Sequence, residues 1–588
     1  MNFIDIRDKL LISNNLTEYN EIVSFMRNPL SGLPPKAKQR LLDFGNSSFE
    51  TEIITWFKTA PSDYDEKIRL GQIIIWQEIL LAYEALSESY KLLKDIQVVV
   101  YKNDYLKSVN QVRSTLDIYA KSKAAITTLE SHLGVDRYLD FIAESEFGIL
   151  REKFDDIHRI LDTKLTEYKK LFALNWGNTN VCDVMIHKLV RPNMDNQICS
   201  LFQHSKKRVW LFIIDGCGMG QYLWSKSVVP INVNLAYSNN IFKWLSDNNL
   251  LDEYILGAPL VTDTAAGMSQ IFIGKNSKTT RIFSSTVNDD TQKKDFIPIK
   301  SLPTQSFAKI ANTECQSFTV DISSENYDMK IYYCSKYDER NVSGFSKYIF
   351  DGAEVKQVAL PERVFSFLRE DTQKDSSGAS VIYITSVDHY GHTMGSFSQF
   401  ERYEYEKLNQ LFKNFLIDTA KNHPDFFDGS TSIVITADHG MTESYKINIS
   451  RDTISRFLAQ YHEYPSIVDA NRAEFIYGIS KSKIGPCAQG LRTFFSSKKV
   501  NALVLTKNDE LFSAFIPEYE QGYSNTSPDI IVLLISEGLF YNKNTSEHLM
   551  HFGGHGGHSV DEVFVPLINL ELNKELYNKI NNRFLNLN

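Results

Sequence analysis

An α/β fold with a largely parallel central sheet and flanking helices, preceded by an N-terminal helical region, follows from three observations. Residues 1 to about 200 carry apolar side chains that return at three and four positions, with almost no strand signal. After Lys206, Lys207 and Arg208 the texture changes to VWLFIIDG, an apolar run closed by Asp and Gly, as a buried parallel strand entering a loop should read. The pattern recurs in VIYITSVD (381–388), SIVITADHG (432–440) and PDIIVLLI (528–535), with a helix expected at 402–421 between the first two. Reactive residues thus fall at strand C-termini, the end of an open α/β sheet where ligands bind.

Taken in order, the helical periodicity is clearest over 67–93 and 106–133. The change of texture sets a boundary that divides the chain into a helical accessory domain, 1–205, and an α/β domain, 206–588. Two long intervals, 276–375 and 446–525, separate the core strands and read as excursions from the sheet, the second with a helix near 450–460. DTQKDSSGAS at 371–380 reads as a surface loop before a strand. The run at 70–86 is interrupted by Gln72, Gln77, Glu78 and Glu84, too short and polar to span a membrane. A buried helix is expected there instead.

Composition narrows the function classes. A chain of 588 residues with 43% hydrophobic and 12% aromatic residues folds around a large core, which excludes disorder and small stapled modules. The net charge of −9 is not the basic surface of a dedicated nucleic-acid binder, although a local basic groove is compatible with it. Six scattered cysteines without a CxxC pair, and an N-terminus lacking a secretory apolar core, lead to the expectation of a cytoplasmic protein with no membrane partner.

Five segments carry the chemistry. In IIDGCGMG, Asp215 follows a strand and precedes three glycines that let a cation or phosphate approach the backbone, although a capped turn would look the same. In VTDTAAGMSQIFIG, small residues after Thr264 suit a helix start that offers backbone N–H groups to a phosphoryl oxygen. An ordinary Thr N-cap is the plain alternative, and Thr262 is the competing hydroxyl. SVDHYGHTMG sets Asp388 four residues before His392, with His389 between them, so that carboxylate and imidazole reach one cation. ITADHG sets Asp438 beside His439 at another strand end. HFGGHGGHSVDEVFVPLI places His551, His555 and His558 among four glycines. Each segment alone has a structural explanation, but together they supply oxygen and imidazole ligands for two cations that bridge a phosphate.

In this order over residues 209–568, the motifs resemble the alkaline phosphatase superfamily, whereas the helical N-terminal third lies outside the resemblance. The resemblance implies an alkaline phosphatase-like sheet. It implies one metal held by Asp215, Thr264, Asp438 and His439, and a second held by Asp388, His392 and His558. Gly274, ten residues after Thr264, matches the family's spacing and selects Thr264 over Thr262 as nucleophile. His389 and His555 are then expected as phosphate contacts or supports of the ligands, and His551 faces solvent.

The activity so implied is metal-dependent phosphoester hydrolysis through a threonine nucleophile, with two divalent cations. Zinc is the first choice for the mixed imidazole and carboxylate set and manganese the second. Diesters are modestly preferred to monoesters, because threonine resembles the phosphodiesterase and nucleotide pyrophosphatase branches. Monoester hydrolysis and phosphotransfer are the alternatives. The join to helical regions also resembles PglZ-domain proteins of phage defence. That resemblance implies a different reading, a phosphatase-like scaffold that binds nucleic acid, nucleotide or a protein partner through the N-terminal helices.

Overall fold

The computed structural model describes residues 82–133, 141–227, 240–334, 344–461, 466–541 and 552–585, with short interruptions inside these spans. The helical stretch expected at 67–93 is described only from residue 82, and His551 lies outside the described residues. The chain divides into two compact units, one of Met1–Val98, Ser114–Thr163 and Lys226–Asn239, the other of Val99–Arg113, Lys164–Ser225 and Asn240–Asn588.

Among its described residues the first unit is helical. It holds the helix at residues 82–95, the part of α1 (Tyr105–Leu133) beyond Arg113, and nearly all of α2 (Phe141–Lys164). Leu150, Phe154, Ile157 and Leu161 recur at helical spacing on α2 and are all buried. Tyr119 of α1 stacks on Phe154 with ring centroids 5.3 Å apart, and the buried Lys123 lays its ammonium 4.6 Å over the same ring.

The second unit begins with α3 (Thr166–Asn175) and α4 (Thr179–Leu189) and is built on a seven-stranded sheet. Its strands are β1 (Arg208–Ile214), β2 (Asp252–Gly257), β3 (Asp328–Cys334), β4 (Glu354–Val358), β5 (Gly378–Ile384) and β6 (Thr431–Thr436), together with the late Phe564–Glu571. A second sheet of four strands comprises β7 (Ser466–Ala470), β8 (Ala473–Tyr477), β9 (Ala502–Thr506) and β10 (Ile530–Leu534), so the late strand is β11. The central order is β2-β11-β6-β1-β5-β3-β4. β1 pairs in parallel with β5 and β6, and β3 with β4 and β5, while β11 runs antiparallel between β2 and β6. This is an α/β fold with a mixed, mostly parallel sheet and flanking helices, joined to an N-terminal helical segment.

Three helices bear on the site: α5 (Thr264–Ile273), α7 (Ser386–Met394) and α8 (Gln399–Asn422), with α6 (Pro361–Thr372) before them. Every residue of β1, β5 and β6 is buried, which accounts for their continuous apolar runs. PDIIVLLI, expected beside them, instead forms β10 in the antiparallel second sheet. The strand is covered on both faces, with Phe512 and Phe515 clustered with Ile531 and Leu533 on one side and Leu491 and Phe495 with Val532 and Leu534 on the other. A doubly covered strand has the same sequence texture whichever sheet it joins. Residues 276–375 contribute β3 and β4 to the central sheet, and residues 446–525 contribute three strands of the second. Among the described residues no helix is long and apolar enough to cross a membrane.

One buried ion pair fastens α4 to the central sheet. Lys188 Nζ, fully buried, lies 2.7 Å from Glu571 Oε1 at the end of β11 and 3.1 Å from Ser432 Oγ of β6. Burial draws the ammonium's pKa down and the Glu571 charge opposes that. Glu571→Ala is expected to destabilise the protein by about 3–5 kcal/mol, because it strands a buried charge. Lys188→Met combined with Glu571→Leu should recover most of that loss in urea unfolding.

Candidate functional site

The loops after β1, β5 and β6 bring three aspartates together. Asp215 follows β1 directly, and Tyr383 of β5 donates its phenol hydrogen to Asp215 Oδ2. Gly216 turns there with φ +75°, and a Cβ at that position would come within 3.1 Å of Asp388 Cα, so the first turn packs against α7. The DHYGH segment is helical, and α7 presents Asp388 and His392 one turn apart on a common face. Asp438 and His439 follow β6. Asn178, just before α4, donates to the Asp438 carbonyl at 2.7 Å, while the His439 N–H donates to Asp438 Oδ1 at 3.0 Å.

Three imidazoles meet these carboxylates in the same orientation. Nδ1 of His439 lies 3.0 Å from the Gly440 carbonyl, Nδ1 of His392 lies 3.0 Å from that of Gly553, and Nδ1 of His555 lies 2.8 Å from that of Thr262. A carbonyl only accepts, so each Nδ1 carries the hydrogen and each Nε2 keeps its lone pair for the site. Those Nε2 atoms face acids. His439 Nε2 is 3.6 Å from both Asp215 Oδ1 and Asp438 Oδ2, while Asp388 Oδ1 is 3.4 Å from His392 Nε2 and 3.7 Å from His555 Nε2. The His439 and His555 rings stack with centroids 3.9 Å apart.

Two clusters with metal-binding geometry result, Asp215 with Asp438 and His439, and Asp388 with His439 and His555. The donor chemistry fits cations. Asp438 Oδ2 and Asp388 Oδ1 are buried atoms that accept no hydrogen bond. Burial raises the Asp438 carboxyl pKa, His439 opposes the rise, and the Asp388 charge adds to it. Buried like charges at such spacing require a compensating positive charge, and a mixed oxygen and imidazole set suits zinc or manganese.

Thr264 stands beside the first cluster. It is the first residue of α5, and the cap of that helix is Asp263, whose Oδ1 accepts from the Ala265 N–H at 2.9 Å. With the capping done by its neighbour, Thr264 Oγ1 lies 3.1 Å from His439 Nε2. Thr262, the competing hydroxyl, is committed elsewhere: its Oγ1 accepts from the Gly556 N–H at 2.8 Å and contacts the Gly557 carbonyl at 3.2 Å. Gly267 lets α5 approach this close, because a Cβ there would lie 2.6 Å from the Asp438 carbonyl oxygen. Gly274 ends the helix at φ +67°.

His558 lies apart from both clusters. Its N–H donates to the Leu534 carbonyl at 2.8 Å, its carbonyl accepts from the buried Lys169 ammonium at 2.9 Å, and its Nδ1 makes no hydrogen bond. Glycines at 556 and 557 turn the chain between the two imidazoles, so that His555 points at Asp388. His389 sits on a different face of α7 from Asp388 and His392, beside Tyr390.

Several residues that hold the site were not singled out in the sequence, namely Asn178, Tyr383, Arg472 and Glu562. Glu562 accepts from the N–H groups of Gly557 at 2.8 Å and Ser559 at 3.0 Å, from Ser559 Oγ at 2.7 Å and from Arg472 Nε at 2.9 Å. The signal for it was present in S-V-D-E, a capping box at residues 559–562.

Burial, with the Lys169 charge nearby, draws the His558 pKa from 6.5 down to about 3, against the Leu260 carbonyl. The unfolded chain therefore binds a proton below about pH 6.5 that the folded chain refuses until about pH 3, so stability falls with pH across that window. His558→Gln should flatten this part of the decline when urea midpoints of metal-free protein are measured from pH 7 to pH 4.

The family model for type I phosphodiesterase / nucleotide pyrophosphatase matches residues 268–557, a span that includes Asp388, His392, Asp438, His439 and His555 and stops short of Asp215, Thr264 and His558. No curated protein matches the chain. Among solved structures, murine ectonucleotide pyrophosphatase / phosphodiesterase 5 is similar at 16% identity over 62% of this chain and 88% of its own, with a TM-score of 0.43. Its human counterpart is similar at 14% identity over 64% and 94%, with a TM-score of 0.42. Likeness at that level carries no argument about the site. The matching family is not specifically that of the PglZ-domain proteins. Over residues 268–557 the chain is similar to the type I phosphodiesterase / nucleotide pyrophosphatase family.

Proposed function

We propose that this chain is a metal-dependent phosphoester hydrolase, with diesters preferred, in which Thr264 is the nucleophile. One observation carries the reading. Three imidazoles turn Nδ1 onto backbone carbonyls and Nε2 toward buried aspartates, beside a threonine hydroxyl at the start of a helix. Carbonyl partners of this kind orient metal-binding histidines. Asp215, Asp438 and His439 would hold one divalent cation beside Thr264, and Asp388, His392 and His555 the other, a pair that supplies charge neutralisation at the phosphoryl and leaving oxygens. The choice of His555 over His558 rests on the separate surroundings of the two rings.

The chain's own part is positioning. Asp263 takes the cap of α5 and leaves the Thr264 hydroxyl at the edge of the cluster. The N-terminal end of α5 favours negative charge at that point. The Thr264 oxygen gives up its proton to solvent and bonds to phosphorus as the bond to the leaving oxygen breaks in line and that oxygen takes up a proton; water then cleaves the Thr264 oxygen–phosphorus bond of the phosphothreonine, still esterified when the substrate is a diester, and restores the hydroxyl. The family match to type I phosphodiesterase / nucleotide pyrophosphatase supports diesters over monoesters. The buried free cysteines 182, 199, 217, 334 and 487 suit a reducing compartment such as the cytoplasm. Of residues 1–205, the helical part that belongs to the first unit, up to Thr163, is proposed as an accessory, partner-binding region.

Purified protein with quantified zinc or manganese, assayed on bis(4-nitrophenyl) phosphate and 4-nitrophenyl phosphate, tests the reading. Thr264→Ala should lose about 10³-fold or more in turnover with metal retained. Equal turnover by the variant, or none by the metal-loaded parent on either substrate, would overturn it. For the ligand set, His555→Ala should lower metal occupancy by elemental analysis, whereas His558→Gln should leave it unchanged.

A further inference from the structure

A cavity of about 50 Å³ opens on the other side of α7 from the metal clusters, near the ends of β3, β4 and β5. It is lined by Ser386, His389 and Tyr390 of α7, Glu404 and Lys407 of α8, and Leu360 from the loop before α6. The location is the carboxyl end of parallel strands, where open α/β sheets bind ligands. One water needs roughly 10–15 Å³, so this volume admits a group of several atoms.

Its lining holds a buried carboxylate oxygen that no donor reaches. Glu404 is 3% exposed, and its Oε1 accepts no hydrogen bond. Lys407 leaves it unsatisfied: the ammonium sits 2.9 Å from Glu362 Oε1 and 4.0 Å from Glu404 Oε1. Lys407 thus makes its short contact to Glu362, whose side chain is 44% exposed, and leaves the buried Glu404 the longer one. Ser386 Oγ is likewise buried without a hydrogen bond. Thr385, also in the lining, spends its hydroxyl on the Cys334 carbonyl at 3.0 Å. A buried carboxylate oxygen left without a donor is costly, and an N–H bearing cation meets both the charge and the missing donors.

We propose that this cavity is a binding site for a small primary ammonium group, with Glu404 as its counter-charge and Ser386 as a second acceptor. The site has no part in the phosphoester chemistry, and its test reads binding alone, so failure of either reading leaves the other standing. Methylammonium chloride is titrated into the full chain and followed by calorimetry and thermal unfolding, with sodium chloride and tetramethylammonium chloride at equal ionic strength as references. A saturable signal is expected for methylammonium only, because tetramethylammonium has no N–H to donate. Kd should be on the order of 10 mM, near the ceiling for a probe of two heavy atoms. Glu404→Gln keeps the shape and removes the charge, and should weaken binding about tenfold or more. Ser386→Ala should weaken it less and provides the check if Glu404→Gln fails to fold. Absence of saturable methylammonium binding, an equal response to tetramethylammonium or sodium, or undiminished binding in both variants would overturn the assignment.

Discussion

Three aspartates crowded into one buried place set the terms for the rest of the second unit. Asp215, Asp388 and Asp438 come from three different strand ends, and carboxylates at such spacing repel one another in a medium that screens poorly. The arrangement persists only if each acid is pinned. Tyr383 pins Asp215, the helical turn of α7 fixes Asp388 relative to His392, and Asn178 with the His439 N–H fixes Asp438. The common orientation of the three histidines turns their ring lone pairs toward the acids as well, which leaves a set of donors suited to a cation and not to one another. Parallel strands in the order β6-β1-β5 make the convergence possible, because their three C-terminal loops emerge side by side.

The same principle explains the glycines of the site. α5 must lie almost on the Asp438 backbone for Thr264 to reach His439, and Gly267 is the position where that contact occurs. Burial of the helix on all sides then accounts for its small and apolar composition, and the acidic cap at Asp263 keeps the hydroxyl of the next residue out of the capping role.

Legibility in the sequence followed the physics of each signal. β1, β5 and β6 could be read because a strand buried on both faces is apolar throughout and ends where polar chemistry begins. The same texture misplaced PDIIVLLI, since burial says nothing of which neighbours do the burying. β4, EVKQV, was invisible because an edge strand keeps polar residues. Asp215, Thr264, Asp388, His392, Asp438 and His439 were singled out from their positions at strand ends and helix starts, and the structure brings them together. The sequence favours His558 as the ligand and His555 as a supporting contact, whereas it is His555 that faces Asp388, because four flanking glycines leave the backbone direction unspecified until Thr262 and Lys169 accept or donate to it. Asn178, which donates to the Ala437 and Asp438 carbonyls, and Tyr383, which donates to Asp215, act from elements distant in sequence, for which a single sequence has no pattern.

Arg472 deserves a last look in terms of modularity. It sits fully buried in the turn between β7 and β8, within an interval that sequence texture marks as an excursion, and it reaches the Gly538 and Leu534 carbonyls as well as Glu562. Glu562 in turn holds the loop that carries His555. The second sheet is therefore not an independent appendage: a chain without β7 and β8 would keep all of its acids yet lose the brace under one of its imidazoles.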